Sequence, residues 1–144
     1  SIGVNLLFNL VHQAASILKD VEYDIEISEI HHKHKIDAPS GTAIELGKRA
    51  AQGRNSDFNK LKIYDRITPS LKRQLGSIGF AVSRGGEIVG EHTVSLIGKN
   101  DRVDLSHHAF SRSIFVQGAI EAAIFLSGRK TGLYSMEDVI KIKI

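Results

Sequence analysis

The sequence predicts an α+β fold: a mixed, open β-sheet with helices packed on one face and the other face used for oligomerisation. Three observations carry that prediction. Residues 21–28 alternate, with Val21, Tyr23, Ile25 and Ile27 set against Glu22, Asp24, Glu26 and Ser28, as in a half-buried strand. Apolar residues recur at helical spacing before that strand, over 4–18, and after it, from Ala43 onward. Further alternating segments follow near 60–64, 77–84, 87–97 and 102–109, ahead of an apolar helical stretch over 113–127. The order is α-β-α-β-β-β-β-α-α.

Each element has its own signal. The first helix presents Val4, Leu7, Phe8, Val11, Ala14, Ala15 and Leu18 on one side. Ile30 departs from the alternation of the first strand, which is therefore expected to end or bulge near His31. Pro39 keeps Ala38 out of helical geometry. Ser40 is a natural N-cap, and Ala43, Leu46, Gly47 and Ala50 then repeat at helical spacing. Gln52 to Asn59 reads as a polar loop turned by Gly53, Asn55 and Asp57. Arg84-Gly85-Gly86 predicts a tight hairpin, and Gly98 to Asp101 a second. Phe115, Ala119, Ala122, Ala123 and Leu126 mark the apolar helix, and Ser135 with Asp138 resembles a capping box for a last short one. Ile78, Phe80 and Val82 on one side of the sheet, and Val89 and Ile97 on the other, predict apolar groups on both faces and hence an interface.

Composition bounds the function. At 144 residues the chain sits at the mode of domain sizes, and 42% hydrophobic with 24% charged residues is an ordinary globular balance, so residues 1–144 are expected to form one domain. With no Cys, disulfide staples and thiolate chemistry are excluded. No signal-peptide pattern or membrane-length apolar run occurs, and a cytoplasmic protein without a membrane partner is expected. The net charge is +3, but the basic residues are dispersed and aromatics make up only 6% of the chain. That argues against a nucleic-acid partner and for a small anionic one.

The chemistry concentrates in the run from Glu26 to Ala43, with His31, His32, Lys33, His34, Lys35 and Asp37 ahead of Pro39-Ser40-Gly41-Thr42. The layout is strand, basic loop, helix N-terminus. Backbone N–H groups of Gly41, Thr42 and Ala43 are expected free at that terminus, backed by the positive end of the helix dipole, which suits a carboxylate or phosphate. Lys35 offers a positive charge, or a proton if its pKa is lowered. His31 or His32 titrates near neutrality and can donate a proton. Asp37 reads as a loop pin. Two other readings of the histidines stand beside this one, a solvated loop and a metal site. Against a metal, adjacent His31 and His32 face opposite ways on an extended chain, no Cys is present, and Lys33 and Lys35 repel a cation. His92, His107 and His108 read as interface or core-edge groups, Glu91 with His92 does not read as a catalytic pair, and Arg112 could reach a substrate carboxylate or form a structural ion pair.

The same run resembles, position for position, the signature of the dihydrodipicolinate reductase (4-hydroxy-tetrahydrodipicolinate reductase) family. The resemblance extends to Ser1–Asn5, Ile78-Gly-Phe80, Arg84–His92, Ser111-Arg112, Gln117-Gly-Ala119 and Gly132–Val139. It implies that His31 is the proton donor/acceptor, that Lys35 is the second proton donor, and that His32 contacts substrate. Gly41 and Thr42, with Ser40 alongside, would bind a substrate carboxylate. The implied reaction is hydride transfer from NADPH or NADH to a cyclic imine dicarboxylate in the diaminopimelate route to lysine, with loss of water. The implied assembly is a homotetramer formed through the sheets.

One departure from the family matters. Its N-terminal Rossmann domain carries a glycine-rich phosphate loop, and no Gly-x-Gly-x-x-Gly turn occurs here. The chain is therefore expected to be the C-terminal substrate-binding and oligomerisation domain, separated from its dinucleotide-binding domain and inactive by itself. The alternative is a non-catalytic assembly domain with an unformed ligand loop.

Overall fold

Ser1 caps the first helix: its Oγ accepts the Val4 amide at 3.2 Å, and α1 runs Ile2–Ile17. The computed structural model describes residues 1–68 and 70–140. After α1 come β1 (Asp24–His31), α2 (Gly41–Gly53), the one-turn α3 (Phe58–Leu61), β2 (Lys62–Ile63), β3 (Ile78–Arg84), β4 (Gly90–Ile97), β5 (Arg102–Ala109), α4 (Ser113–Leu126) and α5 (Met136–Ile140). The strands form one mixed sheet in the order β2-β3-β1-β4-β5. β2 and β3 run parallel to β1, whereas β4 is antiparallel to both β1 and β5.

The core lies between one sheet face and the first two helices. Ile25 and Ile27 of β1 sit beside Ile78 of β3 and Val94 and Leu96 of β4, under Leu7, Val11 and Ala15 of α1 and Ala43, Leu46, Ala50 and Ala51 of α2. Each large aliphatic side chain removed from water here contributes about 1.5–3 kcal/mol. The helical spacing expected for α1 and α2 is thus the spacing of their buried faces. α5 is tied to α2 by Arg49 Nη1 to Glu137 Oε1 at 2.7 Å, and Ser135 and Asp138 form the expected capping box.

Four expectations change. β3 and β4 do not form a hairpin: β1 lies between them, and the 85–89 turn crosses its end, where Gly85 N–H donates to the His31 carbonyl at 3.0 Å. β1 ends at His31 as expected, but its alternation does not break at Ile30; the inward series continues from Ile25 and Ile27 to Glu29 and His31, so the strand carries two polar side chains into the interior. The open face is not apolar as expected. Phe80 and Val82 share the helix-covered side with Ile78, and Val89 precedes β4. The open side carries Ser28, Thr93, Ser95, Asp104 and Ser106, with Ile30, Ile63, Ala81 and Ile97 as its apolar members. The segment expected to be a loop over Gln52–Asn59 also contains the end of α2 and the start of α3. Little of α4 is covered: Gly118 is its one buried residue, and Phe115, Val116, Ile120, Ile124 and Leu126 are exposed. Among the described residues, no helix is long and apolar enough to cross a membrane.

Candidate active site

β1 ends in the interior at His31, and the chain leaves the sheet as a basic loop. That loop is pinned to the β3–β4 turn by Lys33 N–H to the Gly86 carbonyl at 3.2 Å and closed on itself by Lys35 N–H to the His32 carbonyl at 3.1 Å. It returns at Ser40, whose side chain accepts the Ala43 amide at 3.2 Å and starts α2. Of the three N–H groups expected free at this terminus, that of Ala43 is therefore engaged. Those of Gly41 and Thr42 have no protein acceptor among the described residues. A Cβ at Gly41 would meet no protein atom within 4 Å, so the space beside it is open.

The loop and helix terminus form one wall of a cleft of about 300 Å³, lined by His31, His32, Lys35, Ser40, Gly41, Thr42, Val89, Arg112 and Phe115. All six residues singled out in the sequence border it. Lys35 Nζ pairs with Asp37 Oδ1 at 2.9 Å, and this contact chiefly keeps the Asp37 carboxyl below its usual pKa. Arg112 donates to His32 Nε2 at 3.2 Å and forms no ion pair with a carboxylate among the described residues.

Beneath the cleft lies a buried polar network. Glu29 is hydrogen-bonded through Oε2 to His31 Nδ1, and through Oε1 it accepts the Ser40 amide at 2.7 Å. Arg84 clamps both oxygens, at 2.9 and 3.1 Å. Burial works to raise the Glu29 pKa, but the bonds from Arg84, Ser40 and His31 together outweigh it and hold the carboxyl ionised. His31 has its pKa lowered, chiefly by burial, against the partial support of Glu29. His92 meets the His31 ring edge-on with centroids 5.0 Å apart, and its Nε2 lies 3.0 Å from Ser40 Oγ. Burial and the neighbouring His31 push the His92 pKa down to about 4.

A family profile described as "Dihydrodipicolinate reductase, C-terminus" matches residues 3–140. The chain belongs to this family. It is 53% identical over 140 residues to 4-hydroxy-tetrahydrodipicolinate reductase 1 of Mesorhizobium japonicum, covering 97% of this chain and 51% of that protein. It is 53% identical over 142 residues to the 4-hydroxy-tetrahydrodipicolinate reductase of Brucella abortus, covering 97% and 52% respectively. Its fold superposes on a dipicolinate-bound dihydrodipicolinate reductase from Paenisporosarcina sp. TG-14 with a TM-score of 0.72 and 25% identity, over 96% of this chain and 51% of that one. The chain spans about half the length of the curated relatives it matches.

Two residues beneath the cleft escaped the sequence reading. Glu29 has no assigned role there, and His92 reads as an interface or core-edge group. Both sit on the inward-facing series of their strands, Ile25-Ile27-Glu29-His31 and His92-Val94-Leu96, and that phase is the signal that could have found them. Glu91, by contrast, lies on the open face and pairs with His108 at 3.2 Å. Glu29, His31 and His92 each offer a ligand atom within 4.8 Å of the others. Those atoms are already engaged with one another and with Ser40, and the Arg84 guanidinium on Glu29 opposes a cation. Nor do the described residues fit a dinucleotide pyrophosphate. β1 and α2 are joined by the extended loop 32–40 instead of a tight glycine turn, and Gly85-Gly86 leads into a strand.

Proposed function

We propose that this chain is the substrate-binding domain of a 4-hydroxy-tetrahydrodipicolinate reductase, acting in the NAD(P)H-dependent step toward lysine, and that its cleft takes a small cyclic dicarboxylate. The observation that carries this reading is the convergence of His31, His32, Lys35, Ser40, Gly41 and Thr42 on one cleft whose helix terminus keeps two unpartnered N–H groups. One carboxylate docks on Gly41 and Thr42, where the helix dipole adds to the two N–H donors. The second meets Lys35, with Arg112 on the same rim.

His31 is the proton donor and Lys35 the second. With Nδ1 held by Glu29, Nε2 is the His31 ring nitrogen left for a ligand. The lowered pKa keeps the ring largely neutral at pH 7. A dianion entering beside it favours the protonated form, so binding itself loads the donor. The nicotinamide cofactor supplies hydride in the whole enzyme, and the residues here are assigned to substrate alone, so the isolated domain binds without reducing. The open face of the sheet is the assembly surface for a homotetramer; its small hydroxyl side chains allow another sheet to approach closely.

The test is calorimetric titration of the chain with pyridine-2,6-dicarboxylate, a planar substrate mimic, beside a Lys35→Ala variant. Saturable binding weakened by about 1–3 kcal/mol in the variant is expected. Absence of binding to the folded chain would overturn the reading.

A further inference from the structure

Glu29 hydrogen-bonds to both halves of the candidate site. Its Oε2 holds His31 Nδ1, while its Oε1 takes the amide of Ser40, the N-cap of α2. The side chain is 1% exposed, and Arg84 fixes its plane by bonding both oxygens while also donating to the Asp37 carbonyl at 2.6 Å. The opposite side of the His31 ring is just as constrained. A Cβ built on Gly90 would come within 2.8 Å of His31 Nε2, so β4 keeps a glycine where the imidazole needs room. The ring is thus held by a carboxylate at one nitrogen and by a bare backbone position at the other.

We propose that Glu29 is a positioning residue that fixes the tautomer of His31 and holds its imidazole in register with the anion-binding terminus of α2. The proposal deepens the reading of the cleft as a dicarboxylate site and rests on it for its ligand. Two bonds from one rigid carboxylate set the separation between the proton-carrying ring and the Gly41–Thr42 cradle. A ligand bridging the two needs that separation to be constant. The ionised carboxylate also requires a proton on Nδ1, which leaves the Nε2 lone pair of the neutral ring open to take up the proton later delivered.

The experiment uses the 144-residue chain, with imidazole nitrogen chemical shifts to read tautomer and titration of His31, and pyridine-2,6-dicarboxylate as the ligand. Wild type is expected to show a single Nδ1–H tautomer for neutral His31. Replacing the whole ion pair, Glu29→Leu with Arg84→Met, avoids a stranded buried charge. That folded variant should show mixed tautomers and bind the dicarboxylate about tenfold or more weakly. An unchanged tautomer, or mixed tautomers with unchanged affinity, would overturn the proposal. Should the double variant fail to fold, Glu29→Gln keeps the side chain's size and removes its charge. His31, then facing Lys35, Arg84 and His92 without a carboxylate, must titrate at lower pH than in wild type, and an unshifted titration would equally overturn the proposal. If wild type does not bind the dicarboxylate at all, the functional reading fails, while the tautomer still decides whether Glu29 positions His31.

Discussion

Ser40 Oγ lies 3.0 Å from His92 Nε2, although 52 residues separate them in sequence. The same hydroxyl accepts the Ala43 amide, so it ties the N-cap of α2 to the buried His92 ring. With its pKa pushed down to about 4 by burial, His92 resists a proton that the unfolded chain takes up near 6.5. Its contribution is therefore complete above about pH 6.5 and is lost as pH falls toward 4, by up to about 3 kcal/mol. His31, also lowered, acts in the same direction. Melting temperature should fall through this window, and His92→Gln should flatten the profile. An equally steep profile in the variant would remove His92 as its cause.

Asp37 competes with any anion for Lys35. Their contact at 2.9 Å sits at the rim, with Asp37 largely exposed. Asp37→Asn should leave folding unchanged and strengthen pyridine-2,6-dicarboxylate binding by about two- to threefold, the scale of an exposed ion pair. Calorimetry checks the sign: weaker binding would mean that Asp37 orients Lys35 instead of masking it.

Gly41 separates stability from binding. Because a Cβ there meets no protein atom, Gly41→Ala should stabilise the start of α2 by up to about 1 kcal/mol. The added methyl group projects into the space assigned to the ligand, so dicarboxylate affinity should fall. A variant that gains stability and keeps full affinity would move the ligand off this helix terminus.

Leu46 anchors α2 over β1 and is fully buried. Leu46→Ala should cost about 2–5 kcal/mol by urea unfolding, the range for a large-to-small change in a packed core. Since α2 carries the cradle, partial loss of its packing should also weaken ligand binding.

Thr93 and Ser106 face each other across the open sheet surface at 2.9 Å. Thr93→Arg places a charged, bulky group at the centre of the proposed tetramer interface. Light scattering should report a smaller species with an unchanged circular dichroism spectrum, and crosslinking that gave only monomer for wild type would sink the tetramer.

The parts of this fold legible in the sequence are those governed by neighbours along the chain. The periodicity of α1, the N-cap at Ser40, the Gly98–Asp101 hairpin and the Ser135–Asp138 capping box each rest on contacts a few residues apart. What was not legible depends on strands meeting from afar. The Gly85-Gly86 turn has hairpin composition, yet β1, far earlier in the chain, occupies the slot between β3 and β4. Glu29 and His92 are directly opposed across β1 and β4, a pairing that local pattern does not announce. The lining of the candidate cleft was legible in its loop, His31 to Thr42, whereas the network beneath it was hidden.

The most direct measurement is the amide and imidazole chemical-shift map of this chain on addition of pyridine-2,6-dicarboxylate. The account predicts saturable shifts centred on Gly41, Thr42, Lys35 and His31, with Glu29 and Ser40 following. Shifts centred instead on the separate cleft lined by Ser1, Ile2, Gly3, His107 and Gln117, or none within 31–42, would contradict it.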